Sequence, residues 1–315
     1  GSPLSLSTEV STITGISFNE PSGITSDGTN LYVADTFNNT IRKIVIATEV
    51  VTTLAGSGSN GSADGTGLDA TFYYPYGITT DGTNVYVVDS RNQTIRKIVI
   101  ATGVVTTLAG SGTVGSTDAT TGTEAEFNWP EGITTDGTNL YVADTSNHTI
   151  RKIVIASGEV STLAGTVLSS GSTDGTNATF NKPSGITTDG TNLYVADTDN
   201  HKIRKIVIAT GEVTTLAGSS GGSKDGTSTN AKFSYPYGIT TDGTNLYVAD
   251  SMNKTIRKIV IASGEVSTLA GMAYTSGNTD DTGTSATFNR PRGITTDGTN
   301  LYVLDTLNHN IRKIQ

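Results

Sequence analysis
The amino-acid sequence predicts an all-β protein, a six-bladed β-propeller of four-stranded antiparallel blades, and three observations carry that prediction. A block close to residues 183–206, PSGITTDGTNLYVADTDNHKIRKI, begins at Pro21, Pro75, Pro130, Pro183, Pro236 and Pro291, so the spacing holds between 53 and 55 residues over a chain of 315. A fixed period of that length marks a repeat architecture. Each block divides into short, β-branched, alternating runs separated by turn residues, with no helical periodicity between them. Finally, the two ends complement each other: residues 9–15, EVSTITG, match the fourth run of the inner copies, whereas the last copy stops at Ile314-Gln315 without one.

Within one copy the elements follow in order. GITTD and LYVAD are strands joined by Asp189-Gly190-Thr191-Asn192, the chemistry of a tight hairpin. Asp197-Thr198-Asp199-Asn200 is a second turn, whose side chains bond their own backbone, and it leads into KIRKIVIAT. Thr210-Gly211 reverses the chain into EVTTLAG, the fourth strand. Residues 9–15 complete the blade of 291–315, which fastens the ring and removes an exposed sheet edge. Gly1-Ser2 resembles a cloning scar, so the expectation is one propeller over 3–315, monomeric and trimmed from a larger protein. Between each LAG and the next Phe-x-x-Pro runs a Gly/Ser/Thr/Asp linker, as in 111–125; the first is only Ile16-Ser17. The meander places these linkers, the inner-strand starts and the Asp-Thr-x-Asn turns on one face, and the Asp-Gly-Thr-Asn turns on the other.

Composition narrows the classes of function. Cysteine is absent, which removes disulfides, thiolate zinc sites and a cysteine nucleophile, and suits a bacterial exported protein, secreted, cell-surface or periplasmic. No apolar run approaches the ~20 residues of a membrane-spanning helix, so no membrane insertion is expected. The net charge is −9, and once the two Asp and the Arg-Lys pair of every copy are set aside, 17 acids remain against 8 bases. The variable parts are acidic and would repel a nucleic-acid backbone.

The ordered recurrence of P-x-G-I, D-G-T-N-L-Y-V-A-D and N-H-x-I-R-K-I resembles the NHL-repeat family of six-bladed propellers over essentially the whole chain. The Asn-His pair survives at Asn147-His148, Asn200-His201 and Asn308-His309, while the other copies read Asn38-Asn39, Asn92-Gln93 and Asn253-Lys254. The resemblance implies the fold; function varies among receptor ectodomains, binding platforms and occasional lyases. The lyase branch implies histidines at the x of P-x-G-I, where this chain holds Ser22, Tyr76, Glu131, Ser184, Tyr237 and Arg292.

Several motifs have plain structural readings. The three histidines share one turn on different blades, too far apart for a common metal ion whose ligand bonds are ~2 Å. Residues 56–61 and 110–115 satisfy GxGxxG, but no helix follows to bind an anion. The Asp and Arg of each copy, such as Asp197 and Arg204, recur in every blade, as a structural ion pair must and a catalytic group need not. Asp64, Asp118, Asp174, Asp225, Asp280 and Asp281 invite Ca²⁺, but one or two carboxylates per loop are thin for six to eight oxygens, and solvated loops without a cofactor are expected.

What departs from sixfold regularity gathers around the prolines. Tyr74, Tyr76, Trp129, Glu131, Lys182, Tyr235, Tyr237, Arg290 and Arg292 flank the starts of the inner strands. With blades three apart facing each other, Tyr74 and Tyr76 are expected to oppose Tyr235 and Tyr237, and Trp129 and Glu131 to oppose Arg290 and Arg292. Tyr, Trp and Arg are enriched where proteins recognise partners. The expected function is non-catalytic recognition of a protein, peptide or glycan at this mouth. A metal-dependent lyase or lactonase centred on Glu131, and a structural spacer within a surface protein, are the alternatives.

Overall fold
The computed structural model describes residues 1–315. Six antiparallel sheets stand around one axis, and the four strands of blades 1 to 5 run from axis to rim in chain order. Blade 1 consists of β1 Gly23–Ser26, β2 Asn30–Asp35, β3 Thr40–Val45 and β4 Val51–Ala55. Blade 6 contains Ile294–Thr296, Leu301–Asp305 and Asn310–Ile314, and its rim strand is Val10–Ile13, paired from Val10↔Ile314 to Ile13↔Ile311. The inner strands touch around the whole circle, the first against the last. The Thr306 hydroxyl crosses the seam to donate to the Pro21 carbonyl at 2.9 Å. The ring is closed by its two ends, as the terminal repeats predict.

The core lies between blades. One inter-blade cluster joins Tyr32, Ala34 and Ile41 of blade 1 to Ile78, Val85, Val87 and Ile98 of blade 2, with Phe72 of the linker wedged among them. Because each blade is covered on both sides, the second strand, NLYVAD, is buried over nearly its whole length. Its tyrosine reaches the far face: the Tyr194 hydroxyl donates to Asp189 Oδ2 at 3.0 Å, while Asp189 Oδ1 accepts the N–H groups of Thr191 and Asn192. Burial, then the Asp189 carboxylate, pushes the Tyr194 phenol up to about 12.

Two blades are five-stranded rather than four-stranded. Gly65–Thr66 adds to the rim strand of blade 2 and Gly226–Thr227 to that of blade 5. Single bridges, Ala119↔Val160, Gly175↔Val213 and Glu9↔Thr282, repeat the same approach in blades 3, 4 and 6. A linker must pass the rim edge on its way to the next inner strand, so it pairs there; a two-residue Gly-Thr strand carries no period to read.

The expectation of solvated linker acids is corrected. Arg96, fully buried and lying 4.9 Å over the Phe72 ring, donates from Nη1 to Asp89 Oδ2 and the Thr71 carbonyl, and from Nη2 to the Ala63 carbonyl and Asp64 Oδ1, all at 2.8 to 2.9 Å. The same fork holds Asp118 to Arg151, Asp174 to Arg204, Asp225 to Arg257 and Asp280 to Arg312. These carboxylates are about half exposed, yet they pin the linkers to the blades and have one acid each, which does not fit a calcium cage. Asp281 alone stays outside the scheme and accepts the Thr282 N–H. Blade 1 lacks the arrangement because Ile16-Ser17 supplies no acid: Arg42 has only Asp35, at 3.3 Å, and is 21% exposed.

Replacing Arg204 by Met leaves Asp197 buried without its cation and should lower unfolding free energy by about 3–5 kcal/mol. Arg42→Met, at a longer and partly solvated pair without a linker acid, should cost less than Arg204→Met. Denaturant midpoints of the two variants against the parent read the difference; equal losses would refute this account of the linker pins.

Candidate functional site
The mouth is organised by the three residues around each inner-strand proline. The residue before it, Glu20, Tyr74, Trp129, Lys182, Tyr235 or Arg290, has φ between 47° and 52°, a left-handed conformation uncommon outside glycine. Its N–H points at the preceding blade, where the turn residue accepts it. Asn39 Oδ1 receives Tyr74 N–H at 2.9 Å, and Gln93 Oε1 receives Trp129 N–H at 2.6 Å. His148, His201 and His309 receive Lys182, Tyr235 and Glu20 on Nδ1 at 3.0 to 3.1 Å. The histidines are therefore turn residues, as expected, and also inter-blade latches working as neutral acceptors. Burial holds the His148 and His201 imidazoles below the usual histidine range, with Lys182 adding to the effect at His148. Lys254 occupies the latch position before Arg290 and has no acceptor to offer.

The residues after the prolines form a second, inner ring. Ser22, Tyr76, Glu131, Ser184, Tyr237 and Arg292, with the Gly-Ile that follows each, line a throat of about 90 Å³. This corrects the expected facing pairs. Only Tyr76 with Tyr237 and Glu131 with Arg292 share the channel; Tyr74, Trp129, Tyr235 and Arg290 stand on the outer ring, tied toward the preceding blade.

The Arg292 guanidinium lies 5.0 Å over the Tyr237 ring, and its Nε is buried without a hydrogen-bond partner. Unlike the arginines of the repeat, Arg292 has no carboxylate within ion-pair distance. Burial lifts the Glu131 carboxyl to about 7, with Arg292 and Lys182 pulling it down and Asp199 pushing it up. Glu131 is partly exposed to the channel. The phenols of Tyr76 and Tyr237 are raised by burial and by Glu131.

Beside the throat and sharing Tyr76 and Glu131 with it, a recess of about 170 Å³ is walled by Phe37, Tyr74, Arg91 and Trp129. Arg91 stands 4.4 Å over Tyr74 and 5.3 Å over Trp129, and it donates to the Tyr73 hydroxyl. Phe37 packs on Tyr74 at 4.9 Å. Trp129 remains 42% exposed and Tyr235, edge-on to His201, 40%. Lys182 and Arg290 project into solvent.

Phe37 and Arg91 are the members that sequence reasoning missed. Their signal is the variable x of the Asp-[Ser/Thr]-x-Asn turn, which reads Phe37, Arg91, Ser146, Asp199, Met252 and Leu307. The N–H of that residue donates to the carbonyl two positions before the proline that opens its own blade, as from Arg91 to Tyr73, and so brings its side chain to the mouth. Around this face Arg91, Lys182, Lys254, Arg290 and Arg292 outnumber Glu20, Glu131 and Asp199, although the whole chain carries −9. The donor set does not fit a metal centred on Glu131: no three His, Cys, Asp or Glu side chains converge, and a guanidinium shares the throat.

The model of the family described as NHL repeat matches residues 127–153 and 180–206. Human NHL repeat-containing protein 2 is 31% identical over 322 residues, covering 90% of this chain and 44% of its own length. The chain belongs to the NHL-repeat family. This NHL propeller thus spans less than half of that eukaryotic relative. Among solved structures, a protein of unknown function from Bacteroides thetaiotaomicron superposes with a TM-score of 0.75 at 22% identity, over 97% of this chain and 75% of that one. An auxiliary nutrient binding protein from the same organism gives 0.70 at 16%, over 95% and 69%. At such identities the likeness is one of fold.

The latches of this NHL propeller make two measurable differences. Lys254→Asn supplies the missing acceptor for the Arg290 N–H and should stabilise by about 1 kcal/mol in denaturant titration. For His148 and His201 the folded state binds its proton less readily than the unfolded one. Their contribution is therefore complete above about pH 6.5 and is lost as pH falls through the lowered folded values. The double variant His148→Asn, His201→Asn keeps the acceptors and should show a shallower loss of stability between pH 6.5 and 5 than the parent.

Proposed function
We propose that this NHL propeller is a non-catalytic recognition module, exported from the cytoplasm, that presents the linker-bearing mouth to a protein or carbohydrate partner. The observation that carries the reading is confinement: the framework repeats six times, while the exposed rings and unpaired cations that break the pattern collect on one face. Half-exposed aromatic and arginine side chains offer large, rigid, amphipathic area at small entropic cost, which is what binding hot spots use.

An enzymatic reading draws on Glu131, whose carboxyl near neutrality suits proton transfer. No activated nucleophile and no metal-donor set accompanies it, so recognition is the better-supported reading.

The triple variant Tyr76→Ala, Trp129→Ala, Arg292→Ala should lose every partner that the parent captures on a glycan array or from a secreted-protein pool. Its melting temperature should stay within a few degrees, because none of the three takes part in the linker pins. Partner capture that persists in the folded variant would refute the mouth as the binding face.

A further inference from the structure
We propose that the mouth binds an amphipathic monocarboxylate, its carboxylate on Arg292 in the throat and its apolar body in the recess of Phe37, Tyr74 and Trp129. The inference rests on the reading of the mouth as the binding face and names the chemistry that the face selects. Three observations meet here.

The first is an unsatisfied cation. The arginines of the repeat in blades 2 to 6 each fork onto two carboxylates, whereas Arg292, held on the Tyr237 ring, has no carboxylate within ion-pair distance. A planar guanidinium with free donors matches a carboxylate, and the charge-assisted bonds are about twice as strong as neutral ones.

The second is size. The throat, about 90 Å³, is roughly half the size of the adjoining recess, so it suits the smaller end of a ligand and the recess its larger body. The third is the adjoining recess of about 170 Å³, which shares Tyr76 and Glu131 with the throat and is otherwise walled by the rings of Phe37, Tyr74 and Trp129, by Arg91 stacked on two of them, and by Ser90. An aryl body can stack on these rings and brings no hydroxyl that needs a partner.

The surroundings agree in charge. Arg91 in the recess wall and Lys182 and Arg290 outside it add to the cationic side, Glu20 and Asp199 oppose it, and Glu131, with its carboxyl lifted to about 7, adds only part of a negative charge at neutral pH.

The test is calorimetric titration of the 315-residue chain with 3-phenylpropionate, 3-phenylpropanamide, N-acetyl-L-phenylalanine and D-glucuronate. Saturable binding of the phenyl acids is expected, at least tenfold weaker for the amide and for Arg292→Gln, with partial recovery in Arg292→Lys. Trp129→Ala should weaken phenylpropionate while leaving acetate unchanged. Tighter binding of N-acetylphenylalanine points to a peptide C-terminus as the natural source, and tighter binding of phenylpropionate to a free small acid. The proposal is overturned if the amide binds as well as the acid, if Arg292→Gln retains affinity with an unchanged melting temperature, if glucuronate binds tightest, or if no acid binds. Should no acid bind while the triple alanine variant still loses its partners, this inference alone falls and the mouth remains the binding face.

Discussion
Backbone contact between neighbouring inner strands is the constraint on which this structure depends. A Cβ on Gly23, Gly77, Gly132, Gly185 or Gly238 would overlap the carbonyl of the residue after the next blade's proline, so only glycine admits the approach. The contact sets the width of the throat and turns the six side chains after the prolines toward the axis. At the seam the fit is looser, with Ser22 O lying 2.9 Å from a Cβ on Gly293, and the termini hold it with a full rim strand.

A second constraint works outward from the first. Each linker must travel from rim to axis, and the buried Arg-Asp fork with its accessory linker acid fixes that path in blades 2 to 6. With the path fixed, the residue before the proline takes a left-handed backbone and reaches for the latch of the preceding blade. One copy thus presents two side chains in different directions, one into the throat and one onto the outer ring. The repeat supplies identical mountings, and the substitutions on them differ.

The repeat period, the strand order, the closure by residues 9–15 and the identity of most mouth residues were legible from periodicity and from departures from it. The division of those residues into two rings was not. Residues on either side of a proline look equivalent in a sequence, and the change of direction comes from a positive φ stabilised by an acceptor about 35 positions away, as between Tyr74 and Asn39. Arg91 and Phe37 were missed for a related reason, since a turn residue joins Tyr74 only after the blades are stacked. The linker acids were misjudged because their arginine partners lie some 30 residues further on.

By itself the sequence determined a closed wheel of six small sheets, because strand period, turn chemistry and terminal complementarity are local properties that repeat at every copy. Only the tertiary structure decided that Arg292 would stand unpaired beside an aromatic recess. Which charges find partners depends on distances between blades, and sequence spacing does not encode those distances.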